Sequence, residues 1–342
     1  MTPTLRSILR PTAAPVAARA LAAALALLAA LTLAGCGNKS SQISGPRGDN
    51  SGERLVVFAT DRTRTAGDYG LALYDLTQGG FRSLAGFDDT GSESDPCLSN
   101  DGNFVVFAAT RGSGTTGSDI YIYDRLNQGL LPTPGLNTTR NENWPRFTHD
   151  SVKLAFVTRL VSGEKRVRLY EPLGDTLIAL PGLDATAAFD DDMPAPNVDG
   201  GRIAFASNRA GTRDVRVWNR ASGIATLPLL ASAGDDTEPS LSSNGRWLAF
   251  ASDRAGGAGG YDVYLYDLTA DSLVDLTGLN SAGDDRHPSV GSDGDVIVFQ
   301  SNRAGGGGQF DLYRFTRSSA VLDQPAAFRD ASDDIQPYLR WR

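Results

Sequence analysis

Histidine and cysteine are nearly missing from these 342 residues, with two of each. His149 and His287 stand in different repeats, which is poor material for a metal cluster, and a surface or turn role fits them. Cys97 is left without a partner if Cys36 serves the purpose argued below. An intrachain disulfide is then excluded, and Cys97 reads as a small buried residue of an inner strand. No Gly-x-Ser-x-Gly elbow and no His-Glu-x-x-His helix is present. The glycine runs Gly256–Gly260 and Gly305–Gly308 lack a following Lys-Ser/Thr, which argues against a phosphate cradle and leaves them as long loops. Helical periodicity is also missing beyond the N-terminal stretch.

What is present is a repeat. Short apolar runs end in Phe58, Phe107, Phe156, Phe205, Phe250 and Phe299, spaced 49, 49, 49, 45 and 49 residues apart. Eleven residues before all but the first stands a proline: Pro96, Pro145, Pro194, Pro239 and Pro288. Pro337 follows at the same interval with no Phe after it. A period in the forties built from strand-like pieces is the signature of a β-propeller. The fold expected is all-β, a six-bladed propeller of four-stranded blades whose strands are lettered a to d from the axis outward. The unit at Pro239 shows all four: Pro239–Ser242, Trp247–Ala251, Asp262–Asp267 and Ser272–Leu276. Asn244-Gly245, Asp101-Gly102 and Asp293-Gly294 supply the a–b hairpin turns. The first unit has strands b, c and d near Leu55–Ala59, Leu71–Asp75 and Phe81–Leu84 but no strand a, while Pro337–Arg342 is a strand a with nothing after it. The C-terminal strand is therefore expected to close blade one.

Residues 1–52 carry a different message. Arg6, Arg10 and Arg19 precede an Ala/Leu stretch, Ala20–Leu33, too short for the ~20 apolar residues of a span, which leads into Leu33-Ala34-Gly35-Cys36. The division expected is a signal peptide over 1–35, an acylated cysteine and polar tether over 36–52, and the propeller over 53–342. Acyl chains on Cys36 would hold the protein to a membrane, at ~0.8 kcal/mol for each buried CH₂. The leader holds three of the 32 basic residues and no acid, so the mature chain carries −11. That charge argues against nucleic acid or an anionic lipid surface as partner.

Two resemblances follow from these residues. Leu33-Ala34-Gly35-Cys36 resembles the lipobox of bacterial lipoproteins, and Gly37 after the cysteine implies the outer membrane, with the protein facing the periplasm. Pro239-Ser-Leu-Ser-Ser-Asn-Gly-Arg-Trp-Leu-Ala-Phe-Ala-Ser-Asp-Arg254 and Asp262-Val-Tyr-Leu-Tyr-Asp-Leu268 resemble the WD40-like repeat of TolB-type propellers, over about 53–342. The TolB resemblance implies a periplasmic scaffold that binds the peptidoglycan-associated lipoprotein and other envelope proteins. This chain departs from that pattern in its lipid anchor and in a short linker where TolB has an N-terminal α/β domain.

Three residues before every proline of strand a stands an acid: Glu93, Glu142, Asp191, Asp236, Asp285 and Asp334. The b–c loops each carry an arginine: Arg62, Arg111, Arg159, Arg209, Arg254 and Arg303. The d–a and b–c loops share one face, so two readings are open. Each acid pairs with an arginine or with turn amides and orders the loops; or some of the acids enter the central channel and bind a basic partner or a cation such as calcium. An Asp-x-Asp-x-Asp-Gly loop is missing, and no cofactor or metal is expected. Trp144 is a further candidate on that face, as a partner anchor or as packing against the next loop.

The function expected is a monomeric, non-enzymatic, lipid-anchored binding or scaffold protein of the cell envelope that uses its loop-bearing face. The alternative is a hydrolase or lyase acting on a sugar or peptide through channel carboxylates. Because every blade carries nearly the same acid, a catalytic pair would be sought among residues that break the repeat.

Overall fold

Strand b sets the architecture. Leu55–Thr60, Trp247–Ser252 and Val296–Ser301 are buried along their whole length, so both faces of these sheets must be covered. The computed structural model describes residues 54–340 apart from 86–90, 111–116, 133–134, 173 and 184–187. Cys36, the leader and Arg111 lie outside the described residues. Six four-stranded antiparallel sheets form a ring, and the helical content among the described residues is two 3₁₀ turns, Arg317–Ser319 and Ala326–Phe328. The core lies between the blades. Each of six apolar clusters joins two neighbours, such as Trp247 and Leu265 of blade five with Phe299 and Phe315 of blade six.

The C-terminal strand Asp334–Arg340 pairs antiparallel with Leu55–Thr60, with Leu55 opposite Arg340 and Val57 opposite Tyr338. Blade one is thus closed by the two ends of the chain, and Leu339 packs with Phe58 and Val298 across the seam.

The Pro–Phe spacing has a structural cause. In every blade the ladder between strands a and b slips by one residue, so that two residues of strand a oppose one phenylalanine. The pairs are Asp95-Pro96 on Phe107, Trp144-Pro145 on Phe156, Met193-Pro194 on Phe205, Glu238-Pro239 on Phe250, His287-Pro288 on Phe299 and Gln336-Pro337 on Phe58. Proline has no N–H to lose from the ladder, which suits it to a bulge. The residue before it takes a left-handed conformation at all six positions, with φ between 48° and 54°. Strand a also begins earlier than its proline suggests. Glu142, Asp191, Asp236, Asp285 and Asp334 are its first residues, and Glu93 is its second, so the acids open the strands and are not loop residues.

Candidate functional site

Each of the six acids is at most 1 % exposed. Four are held by the arginine of their own blade: Asp191 by Arg209 Nε at 3.0 Å, Asp236 by Arg254 Nη2 at 2.9 Å, Asp285 by Arg303 Nη2 at 2.6 Å and Asp334 by Arg62 Nε at 3.1 Å. These arginines follow a Ser/Thr-Asn/Asp pair that completes the lock. The Asx side chains of Asp61, Asn208, Asp253 and Asn302 accept the N–H of the residue before the acid, at 2.6–2.9 Å. That preceding aspartate uses its own carboxylate on the blade before. Asp190, Asp235, Asp284 and Asp333 accept the amides of Lys165, Arg213, Tyr261 and Gln309, where strand c of that blade begins. The tandem acids therefore staple neighbouring blades together. Burial raises the Asp334 carboxyl to about 6 in spite of Arg62 and Thr60, and it raises Asp236 as well.

Blade three breaks this scheme, and it and blade two have Glu where the others have Asp. Glu93 takes Arg64 from blade one, at 3.1 Å. Glu142 takes the hydroxyl of Thr138 at 2.6 Å and is pushed up by burial, while Arg159 is exposed and donates to the Gly163 carbonyl at 3.0 Å. Arg159 therefore bonds within its own b–c loop, whereas its blade's acid is held by Thr138. Its loop lacks the Asx residue that sets the arginine in register.

The central channel is lined by other side chains. The six bulge residues, Asp95, Trp144, Met193, Glu238, His287 and Gln336, surround it, and they are six different residue types on one repeated position. A cavity of about 700 Å³, its open end included, runs from this ring toward the a–b turns, where His149 bonds the Leu241 carbonyl. Bulges re-aim side chains, and non-glycine residues in left-handed backbone cost of order 1–3 kcal/mol each, a strain characteristic of functional positions. The ring is partly cross-linked. Gln336 Oε1 accepts the Asp95 amide at 2.8 Å, and Glu238 accepts the His287 amide at 2.7 Å and Arg286 Nη2 at 2.6 Å. Burial favours the neutral His287 imidazole and lowers it, against the opposing pull of Glu238. Asp95 differs from its neighbours. It is 5 % exposed, its Oδ1 has no hydrogen-bond partner, and burial raises its carboxyl against the opposing pull of Arg146 and His287. Arg146 donates to the Asp95 carbonyl at 2.8 Å and faces the Tyr338 ring. Among the described residues no group of three or more His, Cys, Asp or Glu side chains is arranged to hold a metal ion.

No protein-family model matches the chain, and no curated protein does. Solved structures do. TolB from Acinetobacter baumannii aligns with a TM-score of 0.64 and 17% identity over 87% of this chain and 68% of its own. A putative TolB from Agrobacterium tumefaciens gives 0.56 and 15% over 85% and 98%. The hydrazine synthase of Kuenenia stuttgartiensis gives 0.61 and 15% over 84% of this chain but 46% of its own. The fold is that of a TolB-like propeller. At these identities the likeness concerns architecture alone.

Within the TolB-like propeller, four of the candidate acids are brought together with their own blade's arginine as buried staples, and Trp144 lies on a bulge of strand a, not in a loop. Its ring faces the Lys165 ammonium at 4.7 Å, and that ammonium bonds Asp192 at 2.8 Å. His287 is likewise a channel residue and not a surface one. Cys97 is fully buried, with its thiol raised to about 11 by burial. It accepts the Phe147 amide at 3.3 Å, as Ser240 and Ser289 accept those of Val290 and Leu339 in other blades, so it bonds as well as packs. Asp95, Met193, Glu238 and Gln336 were not singled out from the sequence. The signal that could have found them is the variable residue before each repeated proline.

Proposed function

We propose that this protein is a non-catalytic binding or scaffold protein of the bacterial cell envelope, anchored by acyl chains on Cys36 and engaging a partner protein through the central channel and the loop-bearing face. The observation that carries this reading is the ring of six dissimilar bulge residues on an otherwise repeated framework. In four blades the staples keep one chemistry because they hold blades together. The ring varies because it contacts something without sixfold symmetry. Asp95, with an unused buried acceptor, is the position where a donor or cationic group of the partner would gain most. Five of the repeated acids pair with an arginine and Glu142 is held by Thr138, which supports the loop-ordering reading over a role in contact. An outer-membrane position facing the periplasm accords with the lipobox-like segment. Among the described residues no helix is long and apolar enough to cross a membrane.

The test is crosslinking and capture from native-host membranes with the full chain and Asp95→Asn. The substitution keeps the side-chain size. A loss of capture of about tenfold or more, with an unchanged melting temperature, is expected; unaltered capture would remove the channel from the interface. One observation favours a second reading, that of a channel hydrolase or lyase: Asp95 is pushed up and His287 down while facing one cavity. Glu238, the other channel carboxylate, is tied to Arg286 and His287, which leaves no free second carboxylate in the cavity and favours binding. Turnover of an envelope sugar or peptide that disappears in Asp95→Asn would reverse that preference.

A further inference from the structure

Blade four differs from its neighbours at its outer edge. Its strand c, Thr212–Asn219, is eight residues long, whereas its strand d is only Gly223–Ile224. In blades two and five an asparagine side chain finishes the edge of strand c beyond the reach of strand d. Asn137 accepts the Ile120 N–H at 2.9 Å and donates to its carbonyl at 2.8 Å, and Asn280 does the same for Val263 at 2.9 and 3.0 Å. In both cases a carboxamide imitates the peptide group of a missing strand residue. The equivalent of Ile120 and Val263 in blade four is Val215, and the residue after the matching leucine, Leu230, is Ala231, which has no group to offer. A groove open to solvent lies there against Val215, Val217, Ile224, Leu227 and Leu230. Arg216 lines the same groove, and its Nε is buried without a partner while its Nη2 reaches Asp214 at 3.2 Å.

We propose that this edge receives an extended segment of a partner protein, one of whose main-chain peptide groups takes the place in front of Val215 that Asn137 and Asn280 fill internally. The open place on this edge is Val215 alone, between Arg213, whose N–H goes to Asp235, and Val217, whose carbonyl accepts the Ala225 N–H. A peptide group entering there draws affinity from main-chain hydrogen bonds and selectivity from the side chains beside it. Here the pockets ask for an aliphatic side chain against Ile224, Leu227 and Leu230. The guanidinium of Arg216, with one N–H unmet, asks for an acidic one. The site lies on the rim of the ring, separate from the channel, so the two readings stand or fall apart.

The probe is a fluorescent, capped pentapeptide of alternating valine and glutamate, followed by anisotropy against the full chain. Its twin is N-methylated at the central residue. The original peptide should bind, and the methylated twin should bind about tenfold or more weakly. Ala231→Asn should restore the internal carboxamide, raise the melting temperature, slow hydrogen exchange at the Val215 amide and weaken the peptide by a similar factor. Arg216→Gln should cut the affinity for the glutamate peptide but not for a valine–glutamine version. Failure of the wild-type chain to bind the peptide would overturn the proposal. So would equal binding of the methylated twin, which would mean a merely apolar groove, or undiminished binding by Ala231→Asn.

Discussion

At the level of single residues, the buried carboxylates show how burial and pairing compete. Asp334 is fully enclosed, held by Arg62 and Thr60, yet burial outweighs both and raises its carboxyl from 3.8 to about 6. Between those two values the folded protein holds a proton that the unfolded chain has released, so this residue costs stability as pH rises through about 6 and returns it on acidification. Lowering the pH from 7 to 5 should therefore stabilise the parent by about 1 kcal/mol more than it stabilises Asp334→Asn, which cannot titrate. Denaturant unfolding of both proteins at the two pH values measures this. Identical pH dependence would mean that Arg62 keeps the carboxylate ionised throughout. Asp95 belongs at this scale too, but its Oδ1 is unmet, whereas Asp334 is held by Arg62 and Thr60.

The element that explains the repeat is the bulge in strand a. It needs a residue that tolerates left-handed backbone, then a proline that gives up a ladder donor, opposite a phenylalanine that fills the space between blades. Those demands fall on residue type as well as position, so the Pro–Phe interval, the blade count and the closure by Asp334–Arg340 were legible in the sequence. The six acids were legible as a period but not as to destination, because pairing depends on the Ser/Thr-Asx-Arg triplet being intact, as it is in Ser252-Asp253-Arg254 and is not in Val157-Thr158-Arg159. The channel ring was not legible because its members share only a place, one residue before proline. Closure carries its own prediction. Removing Pro337–Arg342 takes away the residues that pair with Leu55–Val57 and uncovers Val56, Phe58 and Val298, on which Leu339 packs. Calorimetry should show loss of the cooperative transition, or aggregation from the opened edge. A truncated chain that melts like the parent would mean that blade one is completed by another segment.

For the whole molecule, the strand directions fix the face at which the chain enters the propeller. Strand b runs from the a–b turns toward the loop-bearing face, so Leu55 starts on the face opposite the b–c loops, and Arg54 is secured there by its bonds to Leu76 and Thr77. A lipid-bearing Cys36 would thus pull on the a–b side of the ring and leave the loop-bearing side turned away from its point of attachment. Residues 37–53 could reach about 60 Å if fully extended, enough for the propeller to stand clear of a bilayer. With a net charge of −11 over residues 36–342, a chain processed at Cys36 would have no electrostatic attraction of its own to an anionic lipid surface. Acylation should then be the whole of the membrane attachment, and its loss should be complete. In the native host, Cys36→Ala is expected to incorporate no fatty-acid label and either to remain as the unprocessed precursor or to leave the membrane fraction. Salt washing should make no difference to the parent, which would be held by hydrocarbon and not by charge. Equal labelling of parent and variant would refute the lipid anchor, and a parent stripped by salt would show that another surface of the protein does the holding.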